Sequence, residues 1–267
     1  VSVFAARDTK TLALVKSLSP QSTTYLGHDA IFFAGLEDNL EEVSDTEQRW
    51  LSGLFKEEAM FVGFNIRQWF HFSSSILPYQ FSKQQYQTRS QRKMQELLIA
   101  SCKTIRFLRD EYDANVLLIS AYQPEIEPWE DDLQWLELLK RNFLNDDNVV
   151  LIDKSLSMPA YYKLMSHLDL AVGMRLHTAL IALRLEVPAI NVSYTLKGES
   201  ILSHLGLPEY ALGLNSYIEN PTILQEKISA VLENWESVRE DVSNAALSAI
   251  NLNESVLDQI LSSHLLM

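Results

Sequence analysis

Short apolar runs alternate with longer stretches of helical period along most of the chain, and the alternation predicts its fold class. Strand-length runs fall at residues 1–6, 24–26, 30–33, 60–66, 115–121, 148–152, 168–172, 189–192 and 210–214. Helices are expected over 9–17, 81–112, 132–144, 159–167, 179–185, 199–205, 223–235 and 238–265. Strands that alternate with helices at this spacing build parallel sheets, so the pattern predicts an α/β protein with a doubly wound sheet. Residues 35–49 are acidic with little periodicity and read as a solvated linker or surface loop. Residues 68–80 read as an aromatic-rich loop, and 124–132 as a polar turn.

The most informative stretch is 168–197. A strand stops at Gly173, Thr178 is placed to cap a short apolar helix over 179–185, Pro188 closes it, and 189–192 supplies the next strand. Ligands on open α/β sheets bind outside the carboxyl ends of the strands. Arg175 and His177 follow the first of these strands, and Ser193, Tyr194 and Lys197 follow the second. Three nitrogen-bearing side chains therefore converge on one sheet edge beside the positive end of a helix, an arrangement suited to an anion. The plainer alternative is that Arg175 and His177 brace a turn, since a lone His beside a helix start is more often a structural hydrogen-bonder.

Composition narrows the options. The 267 residues are 47% hydrophobic, enough for one large or two smaller cores. A net charge of −13 argues against a nucleic-acid partner, and means that an anionic substrate must be met by a local cluster of Arg and Lys. The single cysteine, Cys102, excludes an internal disulfide and fits a reducing compartment. No apolar run reaches the roughly 18 residues of a membrane helix, and no charged leader precedes residues 1–7, so no transmembrane segment or signal peptide is read. The eight glycines form no dinucleotide or Walker loop, and the six histidines show no metal-ligand spacing. No Asp-x-Asp triplet or Gly-x-Ser-x-Gly elbow occurs. A metal-free anion site on an α/β sheet is what remains.

Gly173-Met-Arg-Leu-His-Thr-Ala-Leu180, followed by Pro188-Ala-Ile-Asn-Val-Ser-Tyr-Thr-Leu-Lys197, resembles the signature of the polysaccharide pyruvyl transferase family. Weaker matches include Arg7-Asp8, His28-Asp29-Ala30-Ile31-Phe32, Gly63-Phe-Asn-Ile-Arg67 and Asp131-Asp132, so the resemblance spans most of residues 2–206. It implies two Rossmann-like domains facing across a cleft in a glycosyltransferase-B-like arrangement. Residues 1–56 would be the rear part of the first domain, which lacks its usual glycine-rich opening, and 57–267 the second with terminal helices. The last helix, 238–265, would then cross back to the first domain, burying Leu247, Ile250, Leu257 and Leu261.

The resemblance also implies a reaction: transfer of a pyruvyl group from phosphoenolpyruvate to a sugar of a cell-surface glycan precursor, as a ketal. Arg67, Arg175, Leu176, Ser193, Tyr194 and Lys197 are the substrate-binding candidates, and His177 is the candidate acid. No cofactor and no metal are expected. The acceptor would be a saccharide or lipid-linked saccharide, met in the cytoplasm or at a membrane surface without a span. Other readings remain open: a glycosyltransferase of the same architecture that holds a nucleotide diphosphate with Arg175 and Lys197, or a glycan-binding relative without turnover. Asp131 and Asp132 can equally be acidic residues favouring a helix start, and Arg7 with Asp8 a surface pair. Trp69, Phe70 and Tyr122 could stack on a sugar ring or simply pack.

Overall fold

A computed structural model describes residues 3–35, 42–55, 58–68, 79–121 and 131–265, with the backbone alone at 79–87 and 264–265. The chain opens with β1 (Val3–Ala6), α1 (Thr9–Leu18) and β2 (Thr23–Leu26), whose strands pair in parallel. The main sheet has six parallel strands: β3 (Phe61–Asn65), β4 (Asn115–Ile119), β5 (Val149–Ile152), β6 (Leu170–Gly173), β7 (Ala189–Ser193) and β8 (Ala211–Gly213). Their order is β5-β4-β3-β6-β7-β8, the doubly wound order that the hydrophobic pattern predicted in kind. Every residue of β3, β6 and β7 is buried, as strands covered on both faces require.

Helices fill the connections. After α2 (Asp45–Leu54) come α3 (Tyr79–Tyr112), α4 (Asp132–Lys140), α5 (Met158–Ser166), α6 (Leu176–Arg184) and α7 (Leu196–His204). The chain ends with α8 (Leu214–Glu219), α9 (Thr222–Glu233) and α10 (Trp235–Leu265). Leu97, Ile105 and Leu108 of α3 are fully buried, each contributing about 1.5–3 kcal/mol relative to exposure. Cys102 lies in the same helix and is buried, and burial raises its thiol pKa.

Three expectations need correction. Residues 30–33 are not a strand: Ala30–Phe32 form a 3-10 turn whose Ile31 N–H donates to Asp29, and Phe32 is wholly buried. The acidic stretch is not all loop either. Ser44 and Glu47 form a reciprocal capping box that starts α2, so acidic residues there complement a helix start. Glu47 also accepts the Ser157 N–H at 2.9 Å, and Gln48 accepts from Lys163 at 2.6 Å, which ties α2 to α5. The bonds from Ser157, its N–H first, and from Ser44 hold the Glu47 carboxyl down at about 2. Residues 36–41 and 69–78 lie outside the described residues, as does most of the polar turn expected at 124–132.

The third correction concerns the last helix. It does reach the first part of the chain, packing on α6 and on the 30–32 turn. Its buried face, however, is Val238, Val242, Ala246, Ala249, Asn253 and Val256, while Leu247, Leu257 and Leu261 are largely exposed. Of the expected stripe only Ile250 packs against the core, and it is partly buried; small side chains are what let α10 approach closely. Asn253 makes the junction: its Oδ1 accepts the His28 N–H at 2.7 Å and its Nδ2 donates to the Asp29 carbonyl at 3.1 Å. Glu254 adds a bond from the Ala34 N–H at 3.1 Å. Asn253→Ala leaves a part-buried N–H and a buried carbonyl unpaired and is expected to lower unfolding free energy by about 1–3 kcal/mol. Urea titration checks this, and an unchanged midpoint would show that α10 does not depend on the junction.

Candidate active site

In the sheet order, the chain runs outward from β3 to β4 and β5 on one side, and from β6 to β7 and β8 on the other. The carboxyl ends of β3 and β6 therefore border a crevice, the position at which open α/β sheets take ligands. Asn65, the last residue of β3, organises it. Its Oδ1 accepts the Arg175 backbone N–H at 3.1 Å, and its Nδ2 donates to the Ile119 carbonyl at 2.9 Å and to Asp132 at 3.4 Å. Asp132 is completely buried. Arg175 grips it with two prongs, Nη2 at 2.8 Å and Nε at 3.1 and 3.2 Å from the carboxylate oxygens. Burial raises the Asp132 pKa, and the hydrogen bonds and charge of Arg175, then Asn65 and the Arg67 charge, pull against it.

Arg67 stands on the same edge, beyond β3. Its Nη1 donates to the Tyr194 hydroxyl at 2.7 Å, its Nε to the Gln68 carbonyl at 3.1 Å, and its guanidinium lies 4.9 Å from the Tyr194 ring centroid. The fold thus brings Arg67, Tyr194 and Arg175 into one cluster. Asp131, beside Asp132, does what an acidic residue at a helix start does: it caps α4 by accepting the Leu133 N–H at 2.9 Å.

Helix α6 begins directly after this cluster, at Leu176, three residues before the start expected. Thr178 is therefore not its cap; it is a buried residue of the first turn. Arg175 holds the cap position and gives the helix no side-chain hydrogen bond. The flanking helices α4, α5 and α7 are capped by Asp131, Ser157 and Thr195. The N–H groups of Leu176 and His177 thus belong to an end with no side-chain cap, which favours an anion. The Leu176 side chain is half-buried, and His177 is exposed. His177 faces a cavity of about 240 Å³ that Lys154, Ser155, Tyr161 and Thr178 also line.

Two other candidates lie elsewhere. The Ser193 hydroxyl is buried and donates to Asn191 at 2.5 Å, under Gly198. A Cβ at Gly198 would come within 2.1 Å of that hydroxyl, so the glycine is what lets α7 close over it. Lys197 is exposed at the start of α7, within electrostatic reach of Arg7, Asp29 and Asp8. Partial burial and then the Arg7 charge lower its pKa, against the two carboxylates. Arg7 and Asp8 are not a pair: Arg7 bonds to Asp29, and Asp8 caps α1 through the Thr11 N–H.

Asn65, Lys154 and Tyr161 escaped the sequence reading. An amide at the end of an otherwise apolar strand was the available signal for Asn65; Lys154 and Tyr161 carried none. Trp69, Phe70 and Tyr122 lie outside the described residues. Among the described residues, no group of three or more His, Cys, Asp or Glu side chains could hold a metal ion. No helix among them is long and apolar enough to cross a membrane.

Removing one partner of a buried ion pair leaves the other uncompensated. Asp132→Ala is therefore expected to cost about 3–5 kcal/mol of stability, and Asp132→Asn less, because an amide oxygen still accepts from Arg175. Chemical denaturation of both variants measures it; equal, small losses would mean that Arg175 finds a partner elsewhere.

The match to the sequence model described as polysaccharide pyruvyl transferase covers residues 1–195. The amylovoran biosynthesis protein AmsJ of Erwinia amylovora is 30% identical over 100 residues, which is 38% of this chain and 24% of that protein. Two solved structures share the fold. The UDP-GlcNAc 2-epimerase of Methanocaldococcus jannaschii, in complex with UDP-GlcNAc and UDP, superposes with a TM-score of 0.53 at 11% identity, over 86% of this chain and 54% of that one. Anabaena HepE, in complex with UDP and glucose, gives 0.52 at 13% identity, over 98% and 64%. The chain thus spans less than two thirds of each of these proteins. The likeness agrees with a Rossmann-like, glycosyltransferase-B type of fold. With nearly three quarters of its length matched, the chain belongs to the polysaccharide pyruvyl transferase family.

Proposed function

We propose that the chain carries the donor side of a pyruvyl transferase that moves a pyruvyl group from phosphoenolpyruvate to a sugar as a ketal. The observation that supports this most is the switch-point cluster. Two arginines, Arg67 and Arg175, lie just past the carboxyl ends of the adjacent strands β3 and β6, beside an uncapped helix start that presents His177. Phosphoenolpyruvate bears a phosphate and a carboxylate on three carbons, and planar guanidinium forks suit either group. In a protein of net charge −13, such a cluster is a local reversal of the overall field.

The chemistry needs a proton on the donor methylene carbon. Protonation turns it into a methyl group and leaves an oxocarbenium-like centre at the neighbouring carbon, which a sugar hydroxyl attacks. The phosphate then departs, and a second hydroxyl of the same sugar closes the ketal. The two hydroxyl protons balance the proton given to carbon and the one taken by phosphate. His177 is the acid in this scheme, since imidazole transfers protons efficiently near neutrality. Arg175, fixed by Asp132, orients the donor rather than searching for it, and pre-ordering of this kind lowers the cost of binding. The acceptor is a saccharide or lipid-linked saccharide of a cell-surface polysaccharide. We place the reaction in the cytoplasm, where phosphoenolpyruvate is made, with membrane contact made only through a lipid-linked acceptor.

Because Arg67, Arg175 and the α6 start can carry the donor charge, phosphoenolpyruvate is expected to bind in excess chelator. Calorimetry tests this, and affinity that vanishes on chelation and returns with magnesium would sink it. His177→Gln is expected to lower kcat by on the order of 10²–10⁴-fold with donor affinity within a few fold. Phosphate release is measured with phosphoenolpyruvate and a panel of sugar acceptors, beside UDP release from nucleotide sugars. Normal turnover in His177→Gln removes the acid assignment, and UDP release alone would favour a glycosyltransferase.

A further inference from the structure

Two asparagines sit in strands that are otherwise mainly apolar. Asn65 of β3 and Asn191 of β7 are both almost completely buried. Burying an amide costs free energy unless it finds partners, and an apolar side chain would fill either place without that cost. Their placement is not scattered. The register pairs Asn65 with Gly173 and Gly173 with Asn191, so the two amides flank the last residue of β6 in one row across the sheet. Residues paired in this way point to the same face, and the middle one has no side chain. Thr178 fills the gap. A Cβ at Gly173 would lie 3.1 Å from the Thr178 Cβ, so the first turn of α6 rests on bare glycine between two amides.

Both amides act on the turn that leads into that helix. The Asn191 Nδ2 donates to the Gly173 carbonyl at 2.9 Å, and the Asn65 Oδ1 accepts the Arg175 N–H at 3.1 Å. Between them, the Met174 N–H donates to the Asn65 backbone carbonyl at 3.1 Å. Each residue from Gly173 to Arg175 is therefore pinned. Asn191 also reaches the next strand end. Its Oδ1 accepts from the Ser193 hydroxyl, and a Cβ at Gly198 would come within 2.2 Å of that Oδ1, so α7 closes over the amide. Ser193 precedes Tyr194, whose hydroxyl accepts from Arg67. Asn191 thus links the turn that carries Arg175 and His177 to the strand end on which Arg67 leans. Buried polar networks with every member bonded fix a geometry that apolar packing leaves looser.

We propose that Asn191 is a positioning residue for the anion cluster, holding the start of α6 through the Gly173 carbonyl while Asn65 holds it through the Arg175 N–H. The inference rests on the donor reading above only for what the positioned groups bind. It touches no substrate; it sets where Arg175, the free N–H groups of the helix start and His177 stand.

Asn191→Ala removes the amide, and Asn191→Asp keeps its shape. The ionised Asp still accepts from Ser193 but has no hydrogen for the Gly173 carbonyl, whereas the protonated acid has one. Amide hydrogen exchange at Arg175 is compared with that at Val116, which donates to the distant Asn148 carbonyl. Calorimetry with phosphoenolpyruvate is run beside it, well below the Tm of each variant. In Asn191→Ala the Arg175 amide is expected to exchange ~10-fold or more faster relative to Val116, and phosphoenolpyruvate to bind ~10-fold or more weakly. Asn191→Asp is expected to show both losses at neutral pH and to regain them, relative to wild type at the same pH, as its carboxyl takes up a proton. It also carries the test alone if the alanine variant does not fold. A lowered Tm with both amides speeded equally and unchanged affinity in the folded protein would mark a purely structural amide and overturn the proposal. An Arg175 amide that does not respond overturns it whatever the affinity. If Arg175 responds but wild-type protein binds no phosphoenolpyruvate, the positioning role stands and the donor reading falls.

Discussion

The contact on which the site depends is the grip of Arg175 on Asp132. A carboxylate with no solvent exposure must be answered by a fixed positive charge, and Arg175 answers it with two nitrogens. Asn65 then locks the pair to the sheet by bonding the Arg175 backbone, the Asp132 carboxylate and the end of β4. Four elements, β3, β4, α4 and the β6–α6 turn, are thereby held at one point. Such a pair contributes little net stability against an apolar equivalent, because its desolvation is costly. What it supplies here is position: the helix start and the arginine beside it cannot drift.

This arrangement also explains how an acidic protein can gather an anion. Arg175 is partly neutralised by Asp132, so the cluster depends on Arg67 and on the uncapped helix end for its remaining attraction. Arg67 is held differently, by hydrogen bonds to the Tyr194 hydroxyl and the Gln68 carbonyl and by the face of the Tyr194 ring. Lys197 belongs to another neighbourhood, near Arg7 and Asp29 of the first strand unit. The α10 junction through Asn253 keeps that unit against the larger sheet, so the placement of Lys197 rests on a helix far away in sequence.

The parallel sheet and its main strands were legible because period-two and continuous apolar runs record burial directly. Errors arose where one signal had two physical meanings. Two adjacent apolar residues at Ile31 and Phe32 suit a strand or a buried turn, and α10 overhead selected the turn. Asp45 and Glu47 suit a solvated loop or a helix start, and the Ser44 capping box selected the helix. The α10 leucines suit a core as well as a surface, and the alanines won because a close helix approach needs small side chains. Thr178 suits a cap or a buried position, and the Asn65 bond to the Arg175 N–H started the helix early enough to bury it.

The sequence by itself determined the class of fold, the family, and the strand ends that carry Arg67, Arg175 and His177. Those follow from local pattern, since a strand end and the residues just past it are neighbours in the chain. Only the tertiary structure decided what each side chain does there. Arg175 meets Asp132 from 43 residues away, Arg67 meets Tyr194 from 127, and Ser193 turns inward because Gly198 lets a helix close over it. Tyr161 and Thr178 come to share one cavity only when α5 and α6 pack side by side. Charge pairing and burial are properties of distance in space, and no spacing along the chain encodes them.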